Sequence, residues 1–179
     1  LVLSLGPENL PDAQLASAGV SPGDIDLFLL THTHIDHLGG LFDYRHAPLL
    51  ISARERALPR PLYWTGGQPW EWPDREYVAL PHDARIGPGV EVLQAPGHAP
   101  GQLALMIDLP RTGPVLLTSD AISRPAEIDE GFDTAPDPQT ALASARRLMA
   151  LAEARGAFVI YGHDPVQWGE LRKAPDHYD

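Results

Sequence analysis

His32-Thr33-His34-Ile35-Asp36-His37 packs four metal-type side chains into six residues, directly after the apolar run Ile25 to Leu30. A lone histidine carries little information, but imidazole and carboxylate are ligands that divalent zinc prefers, and here they are grouped. On a regular strand His32 and His34 share one face by the period of two, while Asp36 and His37 are too close together to join them. The spacing predicts a strand that ends near Thr31 and a loop that curls so that the two pairs point at neighbouring positions. Two positions suggest two metals.

Outward from this cluster, Pro11 to Ala18 reads as a short helix with Asn9 as cap and Gly19 as stop. Ser21-Pro22-Gly23-Asp24 turns the chain into Ile25 to Leu30, which reads as a strand buried on both faces. Leu38-Gly39-Gly40-Leu41 lets backbone pass close to a site, and Pro48 to Ser52 reads as another strand. Residues 59 to 75 are irregular and rich in proline, with Tyr63, Trp64, Trp70 and Trp72 around Gly66-Gly67. They read as a surface loop whose aromatics pack on the domain, and equally as a wall or lid over a pocket.

Further along, Val90 to Gln94 alternates as a strand and runs into Ala95-Pro96-Gly97-His98-Ala99-Pro100-Gly101, where turn residues bracket a histidine. Leu103 to Asp108 and Pro114 to Thr118 are two strands joined by the turn Pro110 to Gly113, and the second ends in Ser119-Asp120. Asp137-Pro138 starts a helix that Gly156 stops, with Leu142, Ala145, Leu148, Met149 and Ala152 on its core face. Ala157 to Tyr161 is a last buried strand leading into Gly162-His163-Asp164.

Four apolar strands thus each deliver a metal-type residue at the C-terminal end, which is where rigid strands can hold loop side chains in a common site. Seven candidates result: His32, His34, Asp36, His37, His98, Asp120 and His163. His46, His82 and His177 follow no strand in this way and read as surface side chains. Seven ligands suit two zinc ions if Asp120 bridges. The shared position would then carry a hydroxide, because a bound cation draws the pKa of water towards neutrality.

The remaining composition bounds the partners. A chain of 179 residues with 44% apolar content suits one compact α/β domain, 1–179, and no apolar run is long enough to span a membrane. Net charge is -11 without a basic block, which argues against a nucleic-acid partner and favours a small neutral or cationic substrate. No cysteine is present, so disulfides and thiolate ligands are excluded together. No secretory signal is visible, and a soluble, cytoplasmic protein is the expectation.

His-Thr-His-Ile-Asp-His, Pro-Gly-His98, Asp120 and Gly-His163 together resemble the metallo-β-lactamase superfamily of dinuclear hydrolases. Within it, Ala-Pro-Gly-His-Ala-Pro-Gly-Gln, Val-Leu-Leu-Thr-Ser-Asp-Ala, the Asp-Pro-started helix at 137 and Tyr-Gly-His-Asp-Pro-Val-Gln look most like the N-acyl homoserine lactonases. The resemblance implies a four-layer αβ/βα sandwich, with His32, His34 and His98 on one metal, Asp36, His37 and His163 on the other, and Asp120 bridging. Zinc is the implied metal, with cobalt, manganese or iron able to occupy the same ligands.

The implied reaction is opening of the lactone ring by the bridging hydroxide, with Asp36 helping to protonate the departing alkoxide. The lactonases commonly carry a tyrosine shortly after the bridging aspartate, whereas this chain reads Asp120-Ala121-Ile122-Ser123, so a shorter hydroxyl, Ser123, is left for the substrate carbonyl. The family fold also begins with several strands before the first helix, which implies that the sequence lacks the N-terminal part of the first sheet.

Other relatives fit less well. Glyoxalase II enzymes continue into a helical domain, zinc β-lactamases lack the bridging aspartate, diiron oxidoreductases replace the second histidine with glutamate, and nuclease relatives need an anionic partner. The alternatives kept are a hydrolase of another lactone, ester or thioester, and a non-catalytic metal-binding fragment. Acyl-chain preference and oligomeric state, a homodimer included, stay open at this stage.

Overall fold

A computed structural model describes residues 6–64 and 67–179. The expectations that concern residues 1–5 and Gly66 lie outside them. Helix α1, Pro11–Ser17, ends as expected before Gly19, whose φ is 73°. Its N-cap is Leu10, without a side-chain hydrogen bond. The expected cap, Asn9, instead closes a tight turn by accepting from the Gly6 N–H at 2.9 Å.

Strand β1 spans Phe28–Leu29, β2 spans Leu49–Ser52, and the short helix α2, Ala53–Arg56, follows directly. Strands β3, Tyr77–Leu80, and β4, Ala84–Gly87, precede β5, Val90–Gln94. Strands β6, Leu103–Leu109, and β7, Gly113–Leu117, form a hairpin, and a turn at Ser119–Ala121 and the short helix α3, Glu127–Glu130, lead on to α4. Helix α4 is Pro138–Arg155, strand β8 is Phe158–Ile160, and helix α5 is Pro165–Glu170. None of the described helices is long and apolar enough to cross a membrane.

Two sheets result. One is parallel, in the order β1-β2-β3; the other runs β4-β5-β6-β7-β8, antiparallel except for the β7-β8 pair. Period-two alternation explains how they stack. On β2, Leu49 and Ile51 face one cluster with Leu30, Leu38 and Leu41, while Leu50 meets Val92 and Leu103 of the second sheet. On the far face of that sheet, Leu93, Ala104, Met106 and Leu116 pack against Ala145, Leu148 and Ala152 of α4. Leu142 and Met149 adjoin the same cluster, so the methionine is core, as its spacing indicated. Paired sheets thus lie at the centre with a helix on the outer face, an α/β layering of the kind the sequence resemblance implies.

Two strands differ from expectation. The run Ile25 to Leu30 yields only Phe28–Leu29 as strand, with Leu27 exposed and Leu30 buried. The cause is local. The turn at Pro22–Asp24 is locked by Asp24 accepting from both the N–H and the hydroxyl of Ser21, and Ile25 still bonds back to Pro22. Strand β8 is likewise not fully buried, because it stands last in its sheet; Phe158 is 38% exposed and leans on the ring of Tyr178.

Candidate metal centre

Each strand end hands one piece of chain to a common site. Beyond β1, the segment from Thr33 to Ile35 pairs with residue 63: the Tyr63 N–H donates to the Thr33 carbonyl and the Ile35 N–H to the Tyr63 carbonyl, both at 2.8 Å. The histidine loop is therefore held as extended backbone before it turns at Asp36 and His37. Beyond β5, Gly97 has φ 135° and lies so close to α4 that a Cβ there would meet Ala141 within 2.6 Å, so glycine is required. Helix α4 fixes the same loop through Ser144, whose hydroxyl donates to the Pro96 carbonyl, and through the Asp137 N–H, which donates to Gly97. Asp137 also caps α4 by accepting from the Thr140 N–H at 3.0 Å.

The loops bring seven side chains into two groups. His32, His34 and His98 form the first, and Asp36, His37, Asp120 and His163 the second, with ligand-type atoms in each group within 4.8 Å of one another. In the first, His34 Nδ1 lies 3.1 Å from His32 Nε2 and 2.8 Å from His98 Nε2. In the second, Asp36 Oδ2 lies 3.3 Å from His163 Nε2 and 3.7 Å from His37 Nε2. Asp120 stands between the groups. Its Oδ1 is 3.1 Å from His37 Nε2, and its Oδ2 is 3.1 Å from His163, 3.4 Å from His98 and 4.0 Å from His32. Thr31 touches both groups as well, its hydroxyl 3.3 Å from His32 Nδ1 and 3.4 Å from His37 Nδ1, while Ser119 donates to it at 3.1 Å.

These donor atoms suit divalent cations. His37 Nε2 and Asp120 Oδ1 are buried and face each other, yet neither has a hydrogen-bond partner. A tetrahedron of ligands at about 2.05 Å from zinc has edges of about 3.3 Å, close to the spacings here. The ring nitrogens of His32, His34 and His98 also converge, at 2.8 and 3.1 Å, so each can turn a lone pair to a cation placed among them.

Electrostatics favour neutral imidazoles in the first group. Burial, then neighbouring imidazoles, pushes His32 down to about 2, and burial pushes His98 down to about 4 despite the adjacent Asp120. Burial lowers His34 too. For Asp120 burial favours the neutral acid, but hydrogen bonding to His163 and the adjoining His37 and His32 outweigh it and hold the carboxyl well below its usual range. His163 moves up, chiefly through that bond to Asp120.

A pH dependence follows. His32 and His98 are lowered in the folded chain, so their contribution to stability is complete above the unfolded value near 6.5 and is lost as pH falls. His163, being raised, acts in the opposite sense and loses its contribution only as pH rises past 6.5. The metal-free protein is expected to lose roughly 2 kcal/mol between pH 6 and pH 5, from up to two protons at about 1.4 kcal/mol per pH unit each. Denaturant unfolding at the two pH values measures it, and equal midpoints would contradict the buried, neutral state of both histidines.

Ser123 is half-buried, and its backbone is engaged: its N–H donates to Glu127 Oε2 and its carbonyl accepts from the His163 N–H. His46, His82 and His177 are exposed and join neither group. A cavity of about 490 Å³ opens beside His34 and His98, walled by Leu62, Trp64, Pro100 and Pro136 with Gln68 at its edge. A larger one, about 710 Å³, lies between Arg54, His82 and the start of α4 and touches no member of either group. Of the aromatic segment, Tyr63, Trp70 and Trp72 pack on the Leu30 cluster while Trp64 is exposed at the cavity, so the segment is both packing and wall.

One further residue, Glu55, joins the loops of the site without any motif in the sequence to mark it. It is fully buried on α2, its Oε1 accepting from the Thr33 N–H at 2.9 Å and the Thr33 hydroxyl at 2.6 Å, and its Oε2 from the Gly101 N–H at 2.9 Å. Nothing in Ala53-Arg54-Glu55-Arg56 marks the glutamate as internal, since a charged run beside arginines normally faces water.

The chain belongs to the metallo-beta-lactamase superfamily, whose family model matches residues 4–163. Among curated relatives it is similar to the N-acyl homoserine lactonase AttM of Azorhizobium caulinodans, 30% identical over 93% of this chain and 68% of that protein. It is also similar to the N-acyl homoserine lactonase of Bacillus thuringiensis, 31% identical over 91% of this chain and 65% of the relative. The chain thus spans about two thirds of the length of these relatives. A solved N-acyl homoserine lactone hydrolase with the product N-hexanoyl-L-homoserine at its catalytic metal centre superposes with a TM-score of 0.83 at 30% identity, covering 97% of this chain and 69% of that one.

Proposed function

We propose that residues 1–179 form one hydrolase domain that holds two zinc ions and opens the lactone ring of N-acyl homoserine lactones. The observation that carries this is the pair of donor groups joined through Asp120 beside an apolar cavity. His32, His34 and His98 would hold one ion, Asp36, His37 and His163 the other, and Asp120 both. When bound, such ions supply Lewis acidity, which activates water and draws electron density from a carbonyl.

The chain's own residues do the rest. Leu62, Trp64, Pro100 and Pro136 offer an acyl chain a surface that sheds water, and so orient the lactone head towards His34 and His98. Trp64 is 64% exposed, so covering it with an acyl chain is part of the binding energy. Asp36 is half-exposed within reach of His163, a position from which its carboxylate can take the proton given up by the attacking water and pass it to the ring oxygen as the ester bond breaks. Ser123, tied to His163 by the backbone, supplies the hydroxyl we assign to the substrate carbonyl, directly or through one water. The relatives named above, whose names record action on N-acyl homoserine lactones, support the substrate class.

The test is acid release from N-acyl homoserine lactones by zinc-loaded protein. Steady release that a chelator stops and zinc restores supports the reading. Hydrolysis confined to simple lactones or thioesters would redirect the substrate, and two bound zinc ions without hydrolysis of any of these would refute the enzyme reading. In an Asp36→Asn variant that still binds both metals, turnover is expected to fall by about 10²-fold or more, the usual contribution of a positioned acid. Full turnover would remove Asp36 from that role.

A further inference from the structure

Glu55 is a carboxylate with 0% exposure and, among the described residues, no ion-pair partner. Such a group is expensive to bury unless its oxygens are fully hydrogen-bonded and a positive charge lies near. The first condition is met by three donors, the Thr33 N–H, the Thr33 hydroxyl and the Gly101 N–H. Glu55 belongs to neither donor group.

The placement of those donors is informative. Thr33 lies between His32 and His34, and Gly101 lies just after His98 in the next loop. One rigid carboxylate therefore sets the histidine loop against the His98 loop. A Cβ on Gly101 would come within 2.4 Å of the Glu55 backbone nitrogen, so the second loop is pressed directly onto α2. The Thr33 hydroxyl, while donating to Glu55, accepts from the Leu62 N–H at 2.9 Å and so carries the same register to the segment that walls the cavity.

We propose that Glu55 is a positioning residue for one of the two metal sites: it holds His32, His34 and His98 in the mutual geometry that binds a divalent cation, and its charge is the buried counter-charge to that cation. The proposal rests on the dinuclear reading above. The second group is set by further contacts, His163 by its N–H to the Ser123 carbonyl, Asp120 by the turn after β7, and His37 by its own turn through its N–H to the His34 carbonyl at 3.0 Å, so Glu55 acts most directly on the first site.

The experiment is a zinc titration of metal-free protein against a chromophoric chelator, for wild type and Glu55→Gln, with the unfolding midpoint of each metal-free protein measured alongside. Glutamine fills the same space but presents an NH₂ group to one of three N–H or O–H donors, and removes the charge. We expect one of the two binding steps to weaken roughly 10- to 100-fold, the usual effect of losing a partner that orients ligands. The other step stays within about threefold, and His98→Ala abolishes the same step that Glu55→Gln weakens. Both steps unchanged, or both weakened by one factor in parallel with a lower midpoint, would overturn the proposal, since a merely structural residue gives the latter pattern. Should Glu55→Gln fail to fold, Thr33→Val must weaken that same step while Thr33→Ser keeps it at the wild-type value; equal behaviour of the two variants overturns the proposal as well. A wild type that shows no two-step zinc binding would instead sink the dinuclear reading.

Discussion

Replacing Asp120 with alanine is expected to strip the site of metal and activity together. The carboxylate is 6% exposed and lies within 3.1 to 4.0 Å of four histidines drawn from both groups. Losing an outer partner of a ligand typically costs 10–100-fold in metal affinity or activity, so losing the group proposed to serve both sites is expected to cost more than about 100-fold. The variant also leaves His163 without the bond that raises its pKa and frees four imidazoles from their common anion. Metal content and turnover, measured on the same preparation, are the readout. Unchanged turnover with both ions retained would remove Asp120 from its bridging place.

The second large effect is thermal. A ligand that binds only the folded state stabilises it by about 4 kcal/mol at a thousandfold excess over its dissociation constant, and a domain of this size shifts by about 2–4 °C per kcal/mol. One saturated site therefore accounts for roughly 8–16 °C, and two sites for more. Removing zinc with a chelator is expected to lower the melting temperature by at least about 10 °C, and re-adding zinc to restore it. The physical source lies in the donor atoms: His37 Nε2 and Asp120 Oδ1 are buried without hydrogen-bond partners, and a bound cation would give both a partner. A melting temperature indifferent to chelator would mean that these side chains satisfy one another.

Much of this organisation is legible in the sequence, and the parts that are not share a cause. Helix α4 is readable because its cap, its stop and its apolar stripe all agree: Asp137 caps, Gly156 leaves at φ 62°, and Ala145, Leu148 and Ala152 are buried. Strand β5 is readable because Val90 to Gln94 alternates between turns. All seven members of the donor groups stand at the ends of apolar runs or in the histidine loop, so their chemistry marks them one by one. Strands β3 and β4 give no such signal. Tyr77–Leu80 has two exposed middle residues, and Ala84–Gly87 contains Arg85, Gly87 and a bulge between them, so pairing with neighbours rather than local pattern makes them strands.

Glu55 is the clearest case of what local reading cannot reach. Its partners lie 22 and 46 residues away, and no periodicity connects them. The short span of β1 has a related reason: the mostly apolar six-residue run Ile25 to Leu30 looks like a two-sided strand, but the turn at Pro22–Asp24 and a place at the end of the sheet order leave only Phe28–Leu29 in the ladder. Composition reports what a segment can bury, whereas neighbours decide what it does bury.

The proposed holding of two divalent ions by His32, His34, Asp36, His37, His98, Asp120 and His163 is tested most directly by elemental analysis of the protein after saturation with zinc and exhaustive dialysis. Two donor groups, each with the three or more ligands that a zinc site requires, predict about two zinc ions per chain. Retention of no zinc, or of an amount unchanged when His98 and His163 are both replaced by alanine, would contradict it.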